Sequence, residues 1–293
     1  MQVVATLDQQ KERLDVVVTA AMPRLSRAFV QKLCAEGKVL VQGEPAKPGY
    51  KVKEGDLIII DYDESELQAI PSLDLPVLYE DNDCVVINKP AGVLTHAQGA
   101  HVLEATVATF LRSKLAGDLQ EGASGGRAGI VHRLDRATSG VIIGAKHAKA
   151  LSALQKQFAQ RKVKKTYMAI VAGHLKQKEA VIDMPIERNP KAPATFRVGS
   201  NGKSAITHYK VIQESETASL IELTPETGRT HQLRVHLAQL GHPIIGDPLY
   251  GTGTYGDRLY LHALSLEITL PTSRERKLFT APLPKEFKEF MAQ

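Results

Sequence analysis

The sequence predicts an α+β fold for most of the chain. Short apolar segments typical of strands occur at 77–80, 84–89, 141–146, 166–173, 205–212 and 218–224. Helical patterns interrupt these segments only near 102–114, 147–160 and 229–240. A parallel doubly wound sheet would need a helix after nearly every strand, and the sequence lacks that alternation. We therefore expect strands that pair out of sequence order, with occasional helices.

The N-terminal part of the chain has a helical pattern followed by small strands. Within residues 10–22, one helical face is apolar and is formed by Leu14, Val17, Val18 and Ala21. Ser26 suits the N-cap of a second helix. Residues 38–61 alternate apolar and polar side chains around two glycines, which predicts short strands joined by turns.

An acidic segment with two prolines, residues 62–76, separates these two patterns and predicts a linker. We therefore expect one domain over residues 1–70 and a second over residues 71–293. Residues 121–129 are rich in glycine but lack lysine and threonine in the order of a phosphate-binding loop. A flexible loop is expected there.

Composition favours a cytoplasmic protein with an anionic partner. The net charge is +5, and 43% of residues are hydrophobic, which is ordinary for a globular protein. Cys34 and Cys84 are too few for a disulfide framework or a metal knuckle, which indicates a reducing compartment. No apolar run approaches the roughly 18 residues of a membrane span, and the first residues lack an export signal pattern. Neither membrane insertion nor export is expected.

The most informative motif is HRLDRATSG, residues 132–140. Asp135 is the only acid between Gly125 and Tyr167, among many lysines and arginines. A surface that binds a polyanion usually excludes carboxylates, because each one repels phosphate. Asp135 could be a carboxylate held ionised by neighbouring guanidiniums, ready to act as nucleophile or base. It could equally be an ion pair that fixes a turn, and spacing alone leaves both interpretations open.

This motif and the following VIIGAK segment resemble the signature of the RluA-type pseudouridine synthases. Further agreement covers residues 77–290 and includes KPAG at 89–92, KTY at 165–167, GRTHQLRVHLAQLGHPIIGDPLYG at 228–251, LHA at 261–263 and APLP at 281–284. The resemblance implies a catalytic domain with a mixed, largely antiparallel sheet flanked by helices and loops. Residues 11–62 resemble the small S4 RNA-binding domain through RLD at 13–15, LSR at 25–27, EGKVLVQG at 36–43 and GDLIII at 55–60.

The resemblance also implies roles for individual residues. Asp135 would act on the ribose of a flipped uridine, either as a covalent nucleophile or by removing a ribose proton, and Arg229 would pair with it. Tyr167 would stack on the base and assist proton loss at carbon five. Further RNA or substrate contacts are expected from Arg133, Arg136 and Leu233 in the catalytic domain, and from Arg24, Arg27, Lys32 and Lys38 in the S4 domain. Arg133 would enter the space that the uridine vacates, and Leu233 would pack beside the base.

Pseudouridine formation is an isomerisation without redox change, so no metal or organic cofactor is expected. His231 and His236 are five residues apart, which places them off a common helical face and argues against a zinc site. We interpret both as packing or hydrogen-bonding residues. The expected partner is RNA, with large-subunit ribosomal RNA favoured over transfer RNA by resemblance, and the protein is expected to be a monomer.

Two rival functions remain open at this point. In a non-catalytic RNA-binding or ribosome-assembly factor, Asp135 would be only an ion pair on the same basic surface. In a glycoside-type hydrolase, an aspartate also works near an anomeric carbon. Hydrolysis normally needs a second carboxylate about 5 to 10 Å away, and the basic motif offers none nearby in sequence.

Overall fold

The computed structural model describes residues 2–22, 25, 27–62, 73–96, 104–116, 119, 129–251 and 258–292. The chain divides into two compact units. The first unit comprises Met1–Asp74 and His96–Gly129, and the second comprises Leu75–Thr95 and Ile130–Gln293. The predicted domain boundary at residue 70, most of the predicted linker and most of the predicted flexible loop lie outside the described residues.

The first unit combines a pair of helices with a small antiparallel sheet. Its elements are β1 Gln2–Val4, α1 Leu14–Ala21, α2 Arg27–Ala35, β2 Val39–Val41, β3 Glu44–Pro45, β4 Leu57–Ile60 and, farther along the chain, α3 Val107–Arg112. The strands lie in the order β1-β4-β2-β3. Gln42 and Gly43 both have positive φ and form the two-residue turn of the β2–β3 hairpin. Both predicted helices are present, and the predicted cap, Ser26, lies outside the described residues.

An apolar core holds the first unit together. The face predicted for α1 is buried through Leu14, Val17 and Val18, none of which has measurable exposure. It packs with buried residues of α2 and of the sheet, including Leu33 and Ile58. Burial of such side chains contributes about 1.5–3 kcal/mol each, so this core accounts for the fold of the unit.

The second unit is built on a nine-stranded mixed sheet. Its strands are β5 Val77–Glu80, β6 Cys84–Lys89, β7 Ser139–Ala145, β8 Lys164–Ala172, β9 Glu179–Asp183, β12 Ile206–Glu214, β13 Ala218–Pro225, β14 Leu261–Thr269 and β15 Arg276–Thr280. They lie in the order β5-β6-β7-β14-β8-β13-β12-β9, and β15 pairs with β14. Among the described strands, β7 and β14 form the one parallel pair. The mixed, largely antiparallel α+β fold is therefore confirmed.

A small hairpin and three helices complete the described part of this unit. They are β10 Ile186–Arg188, β11 Phe196–Val198, α4 Ala148–Ala159, α5 Gln232–Gln239 and α6 Lys285–Met291. Leu233 and Leu237 of α5 pack into the same apolar cluster as Ile170 of β8 and Leu223 of β13. Helix α5 is thus fixed against strands β8 and β13 of the sheet. Over the described ranges, no helix has the length and apolarity needed to cross a membrane.

The contact between β7 and β14 requires a glycine. Ser139 and Gly140 pair with His262 and Ala263 in the parallel ladder. Gly140 has φ +115°, and a Cβ there would lie 2.2 Å from the carbonyl oxygen of Ala263. This close approach places the start of β7, which includes the last two residues of the HRLDRATSG motif, against a strand from the C-terminal part of the sequence.

Candidate active site

The second unit contains a cavity of about 540 Å³, within the range of about 300–1,000 Å³ usual for ligand sites. Four parts of the chain form most of it: the HRLDRATSG loop, the end of α4 with the turn that follows, one face of β8, and the connection from β13 into α5. Its lining residues include His132, Arg133, Asp135, Arg161, Lys165, Tyr167, Glu226, Arg229, His231, Leu233 and Arg234. Among the charged residues of the lining, five are lysine or arginine and two are acidic, which suits an anionic ligand.

Backbone hydrogen bonds fix the loop that carries Asp135. Thr95 Oγ1 donates to the carbonyl of Leu134 at 2.7 Å and accepts from its N–H at 3.1 Å. Thr138 N donates to the carbonyl of Asp135 at 3.1 Å. Leu134 itself is buried, whereas the Asp135 side chain keeps 19% exposure and lines the cavity. The chain is therefore anchored on both sides of a carboxylate that substrate can reach.

A fully buried lysine, Lys89, also supports this loop through hydrogen bonds to backbone carbonyls. Lys89 Nζ donates to the carbonyls of Pro90 at 2.9 Å, Val93 at 2.8 Å and Arg136 at 3.2 Å. Gly92, with φ +90°, donates its N–H to the Arg136 carbonyl at 2.8 Å. Burial lowers the pKa of Lys89 to about 7. The KPAG segment is thus a turn that supports the loop, and its lysine uses all three donors on backbone oxygens.

The cation that contacts Asp135 is Arg234, on α5. Its Nη1 lies 3.3 Å from Asp135 Oδ2. Its Nε and Nη2 each donate to Asp247 at 2.7 Å, and its guanidinium lies over the Tyr250 ring, 5.1 Å from the centroid. The Asp247 side chain is fully buried and also accepts the N–H groups of Leu249 and Tyr250. This bidentate arrangement holds the guanidinium rigidly, with one nitrogen facing the catalytic candidate.

The predicted pairing of Arg229 with Asp135 is wrong. Among the described residues, Arg234 and His231 are those within ion-pair distance of the Asp135 carboxylate. Helix α5 begins at Gln232, so Arg229 lies in the preceding turn, where its Nε donates to the Ser204 carbonyl at 3.0 Å. Gln232 Oε1 accepts the Arg229 N–H at 3.0 Å and fixes this turn. Arg229 lines the cavity without touching the aspartate.

His231 is a site residue that the sequence interpretation assigned only to packing or hydrogen bonding. It has φ +56°, uncommon for a residue other than glycine, directly before α5. Its Nδ1 is 2.8 Å from the Tyr250 hydroxyl, and its Nε2 is 3.7 Å from Asp135 Oδ2. Burial lowers its pKa more than the nearby carboxylate raises it. His236 does have the predicted role: it is buried and hydrogen-bonded to Thr207 and Met184.

Tyr167 and Lys165 share the face of β8 that lines the cavity, because alternate residues of a strand point the same way. Burial and the charge of Asp135 raise the pKa of Tyr167, so its hydroxyl stays protonated at neutral pH. Burial, together with Arg161, lowers the pKa of Lys165 to about 8. His132 stacks on Phe158 with ring centroids 4.6 Å apart, and burial lowers its pKa to about 3. The imidazole is therefore neutral.

Of the other predicted substrate contacts in this unit, Arg133 and Leu233 line the cavity and Arg136 does not. Arg133 is exposed at the cavity, and Leu233 lines it with 7% exposure. Leu233 is not one helical turn beyond Arg229, since the helix starts later. Arg136 is exposed but is not a cavity-lining residue, and its Nη1 lies 3.5 Å from the Gly92 carbonyl.

In the S4 candidate region, the predicted RNA contacts engage acids of their own unit. Arg27 Nε lies 2.9 Å from Asp15, and Lys32 and Lys38 each lie 3.4 Å from a Glu36 oxygen. These three side chains are about half exposed, so contact with RNA stays a prediction. Arg24 lies outside the described residues.

A second carboxylate, Glu226, also lines the cavity, where it pairs with His208 Nε2 at 2.7 Å. It stands on the connection into α5, which the sequence interpretation did not consider as a source of acids. Within the described ranges, no group of three or more His, Cys, Asp or Glu side chains could hold a metal ion. The arrangement brings together an ionisable carboxylate, a rigid guanidinium, a protonated tyrosine and a lysine around one cavity.

Comparison with known proteins identifies the family. Residues 83–239, which contain the cavity loop, β8 and all of α5, match the family model described as RNA pseudouridylate synthase. The chain belongs to this family. Residues 12–58 match the S4 domain. The protein is thus an RNA pseudouridine synthase, an isomerase, with an S4 domain near its N-terminus, as the resemblance of its motifs predicted.

Relatives of this pseudouridine synthase match it over nearly its whole length. The RNA pseudouridine synthase YlyB of Bacillus subtilis is 35% identical, covering 99% of this chain and 96% of its own. The ribosomal large subunit pseudouridine synthase D of Nitrosomonas europaea is 37% identical, covering 94% and 82%. The ribosomal large subunit pseudouridine synthase C of Vibrio parahaemolyticus is 32% identical, covering 97% and 93%.

Solved structures agree with the fold of the pseudouridine synthase. The human RNA pseudouridylate synthase domain containing 1 aligns with a TM-score of 0.59 and 30% identity, covering 72% of this chain and 85% of its own. The human RNA pseudouridylate synthase domain containing 4 aligns with a TM-score of 0.56 and 27% identity, covering 73% and 90%.

Proposed function

We propose that this pseudouridine synthase isomerises specific uridines of large-subunit ribosomal RNA, with Asp135 acting on the ribose of a flipped uridine. The names of the Nitrosomonas europaea and Vibrio parahaemolyticus relatives support this substrate, since both denote ribosomal large subunit enzymes. The observation that carries the catalytic assignment is the position of Asp135. Its carboxylate is anchored by the loop, contacted by one rigid arginine and still open to a cavity of nucleotide-binding size.

The reaction breaks the bond from ribose C1′ to uracil N1, and the electron pair leaves with the base. In one route the Asp135 carboxylate bonds to C1′, and in the other it takes the C2′ proton to leave an unsaturated sugar. The base then turns and C5 bonds to C1′, as the Asp135–C1′ bond breaks in the first route or as the proton on Asp135 returns to C2′ in the second. The C5 proton is then lost and N1 takes up a proton, so the product is an isomer of the substrate. Both routes require the ionised carboxylate, and Arg234 Nη1 lies 3.3 Å from its Oδ2.

Other cavity residues have roles that follow from their positions. Arg234 is a positioning residue, because Asp247 fixes the guanidinium that contacts Asp135. Tyr167 provides an aromatic surface for the base and a protonated hydroxyl near the reacting carbons. Arg133 and Arg229 supply positive charge for the backbone of an RNA whose uridine has left its stack.

The experiment combines a gene deletion with chemical mapping of pseudouridine across total RNA. Carbodiimide mapping should lose one or more large-subunit sites in the deletion strain, and wild-type protein, but not Asp135→Asn, should restore them. Loss of sites in transfer RNA alone would overturn the ribosomal assignment. Pure protein that binds RNA without turnover would indicate the binding-factor alternative, and free uracil among the products would indicate a hydrolase.

A further inference from the structure

Lys165 is a lysine within the active-site cavity that has no acidic partner. Its Nζ donates to the Thr227 carbonyl at 3.3 Å. Among the described residues, no carboxylate lies within the 4.0 Å ion-pair distance of this ammonium. The charge that lowers its pKa, besides burial, is that of another cation, Arg161. Two of its three N–H donors therefore have no partner among the described residues.

The hydrogen bonding of Lys165 differs from that of Lys89, the lysine that supports the Asp135 loop. Lys89 is fully buried, and its ammonium is satisfied by three backbone carbonyls. Lys165 lines the cavity and has one carbonyl. Partial burial of a charge without a counter-charge is costly, so a substrate oxygen that takes up the spare donors would be bound favourably.

The strand geometry indicates which part of the substrate that oxygen belongs to. Lys165 and Tyr167 are two residues apart on β8 and both line the cavity, so their Cα atoms are about 7 Å apart on one face. A uracil that stacks on the tyrosine ring presents its edge toward the lysine side chain. Arg161 and Arg133 are more exposed than Lys165 and suit the phosphates outside the cavity.

We propose that Lys165 contacts the uracil itself and supplies the counter-charge for the leaving base, an inference that rests on the proposed function. When the C1′–N1 bond breaks, the electron pair delocalises from N1 onto the uracil carbonyl oxygens. A Lys165 N–H donates to one of these oxygens, and no proton needs to leave the lysine. The negative charge on the base is neutralised when C5 bonds to C1′, and the proton that then leaves C5 is balanced by one that N1 takes up.

The test compares Lys165→Met with Lys164→Met in the full chain. Lys164 is the adjacent residue of β8, is exposed and does not line the cavity, so it controls for the loss of one lysine from this strand. Lys165→Met should lower kcat about 100-fold with little change in KM, as loss of a donor to a developing charge does. Lys164→Met should leave kcat unchanged. Lys165→Arg should retain part of the activity, since it keeps the charge.

A second substrate separates a contact with the base from a contact with phosphate or a packing role. In RNA with 5-fluorouridine at the target position, the leaving base is a more stable anion. The penalty of Lys165→Met should then shrink, measured as single-turnover loss of 5-fluorouridine from digested RNA. An equal penalty on both substrates would overturn the proposal, as would a raised KM with normal kcat and a reduced salt dependence. If wild-type protein has no synthase activity, the proposed function fails instead.

Discussion

Two Arg-Leu-Asp sequences occur in this chain, at 13–15 and 133–135, and the structure gives their aspartates opposite environments. The Asp15 side chain has no exposure and accepts from Arg13, Arg27 and Gln31. Burial alone would raise its pKa, but the hydrogen bonds from these three partners hold the pKa well below its usual range. The Asp135 side chain keeps 19% exposure and has Arg234 at 3.3 Å.

This contrast shows which contacts distinguish the two aspartates, which their spacing in the sequence does not. Arg13 turns back onto its own aspartate, with Nε 2.9 Å from Oδ1, and makes a structural ion pair. Arg133 faces the cavity, and the aspartate beside it is contacted by a residue far away in sequence. An identical tripeptide can therefore serve either purpose. The deciding factor is whether neighbouring side chains use all of the carboxylate's acceptor sites or leave some for a substrate.

The largest expected effect distinguishes the two aspartates directly. Asp135→Asn should lower turnover by about 10⁴-fold in a tritium-release assay while RNA binding is largely kept. Asp15→Asn should leave kcat near normal but destabilise the first unit, because it removes a buried carboxylate that accepts hydrogen bonds from two arginines. The loss should be only about 2 kcal/mol, since solvent screens the half-exposed arginines. Calorimetric melting measures the second effect. Normal turnover by Asp135→Asn would remove the contrast.

Arg234→Gln should have the next largest effect. It removes the guanidinium from Asp135 and leaves the buried Asp247 carboxylate without its bidentate partner. We expect kcat to fall about 100-fold and the free energy of unfolding to fall by about 3 kcal/mol. Steady-state kinetics and denaturant unfolding measure both. Arg234→Lys should restore more stability than activity, since a lysine cannot form the bidentate contact.

The pH dependence of kcat should reflect Lys165. Its protonated form is the active one, so kcat should fall as pH rises through about 8. The expected loss is about tenfold between pH 7 and pH 9, and Lys165→Arg should abolish it. The other charged or titratable residues that line the cavity with Lys165 are His132, Arg133, Asp135, Arg161, Tyr167, Glu226, Arg229, His231 and Arg234. An unchanged alkaline limb in Lys165→Arg would assign the titration to another of these groups.

Arg229→Gln should have the smallest effect and is the matched control for Arg234. Since Arg229 lines the cavity without contacting Asp135, we expect weaker RNA binding with kcat nearly unchanged. The slope of log affinity against log salt should decrease by about 1, as expected for loss of one phosphate contact. A loss of kcat equal to that of Arg234→Gln would mean that the arginine in this turn approaches the aspartate once RNA is bound.

Much of the fold was predictable because its central strands are strongly apolar. The segments at 84–89, 141–146 and 166–173 were expected as strands and are β6, β7 and β8. Strands β9, β14 and β15 were not predicted. Strand β14 has His262, Ser265 and Glu267 among its apolar residues and so forms no continuous apolar run. Strands β9 and β15 have exposed residues at alternate positions, of which Val181 and Leu278 are apolar and the others polar, so their short apolar runs do not reveal them.

Cavity residues that belong to a recognisable motif were predictable from the sequence. The orientation of the two arginines near α5 was not, because it depends on where that helix begins. Asp135, Tyr167 and Leu233 all line the cavity as expected, and their catalytic or binding roles stay predictions. Arg229 and Arg234 are both arginines of the GRTHQLR segment, and the sequence alone does not show which of them contacts Asp135. That depends on the helix beginning at Gln232. That start follows from the left-handed conformation of His231 and the hydrogen bonds of Gln232, which composition does not encode.

The order of strands in the large sheet has a consequence for synthesis of the protein. Strand β14 lies between β7 and β8, although it comes after both in the sequence. While the polypeptide emerges from its N-terminus, the HRLDRATSG loop and β8 are made first and lack the neighbour that joins them. Catalytic competence should therefore arise late in translation, once β14 has inserted between β7 and β8. A growing chain that has yet to release residues 261–269 cannot modify RNA.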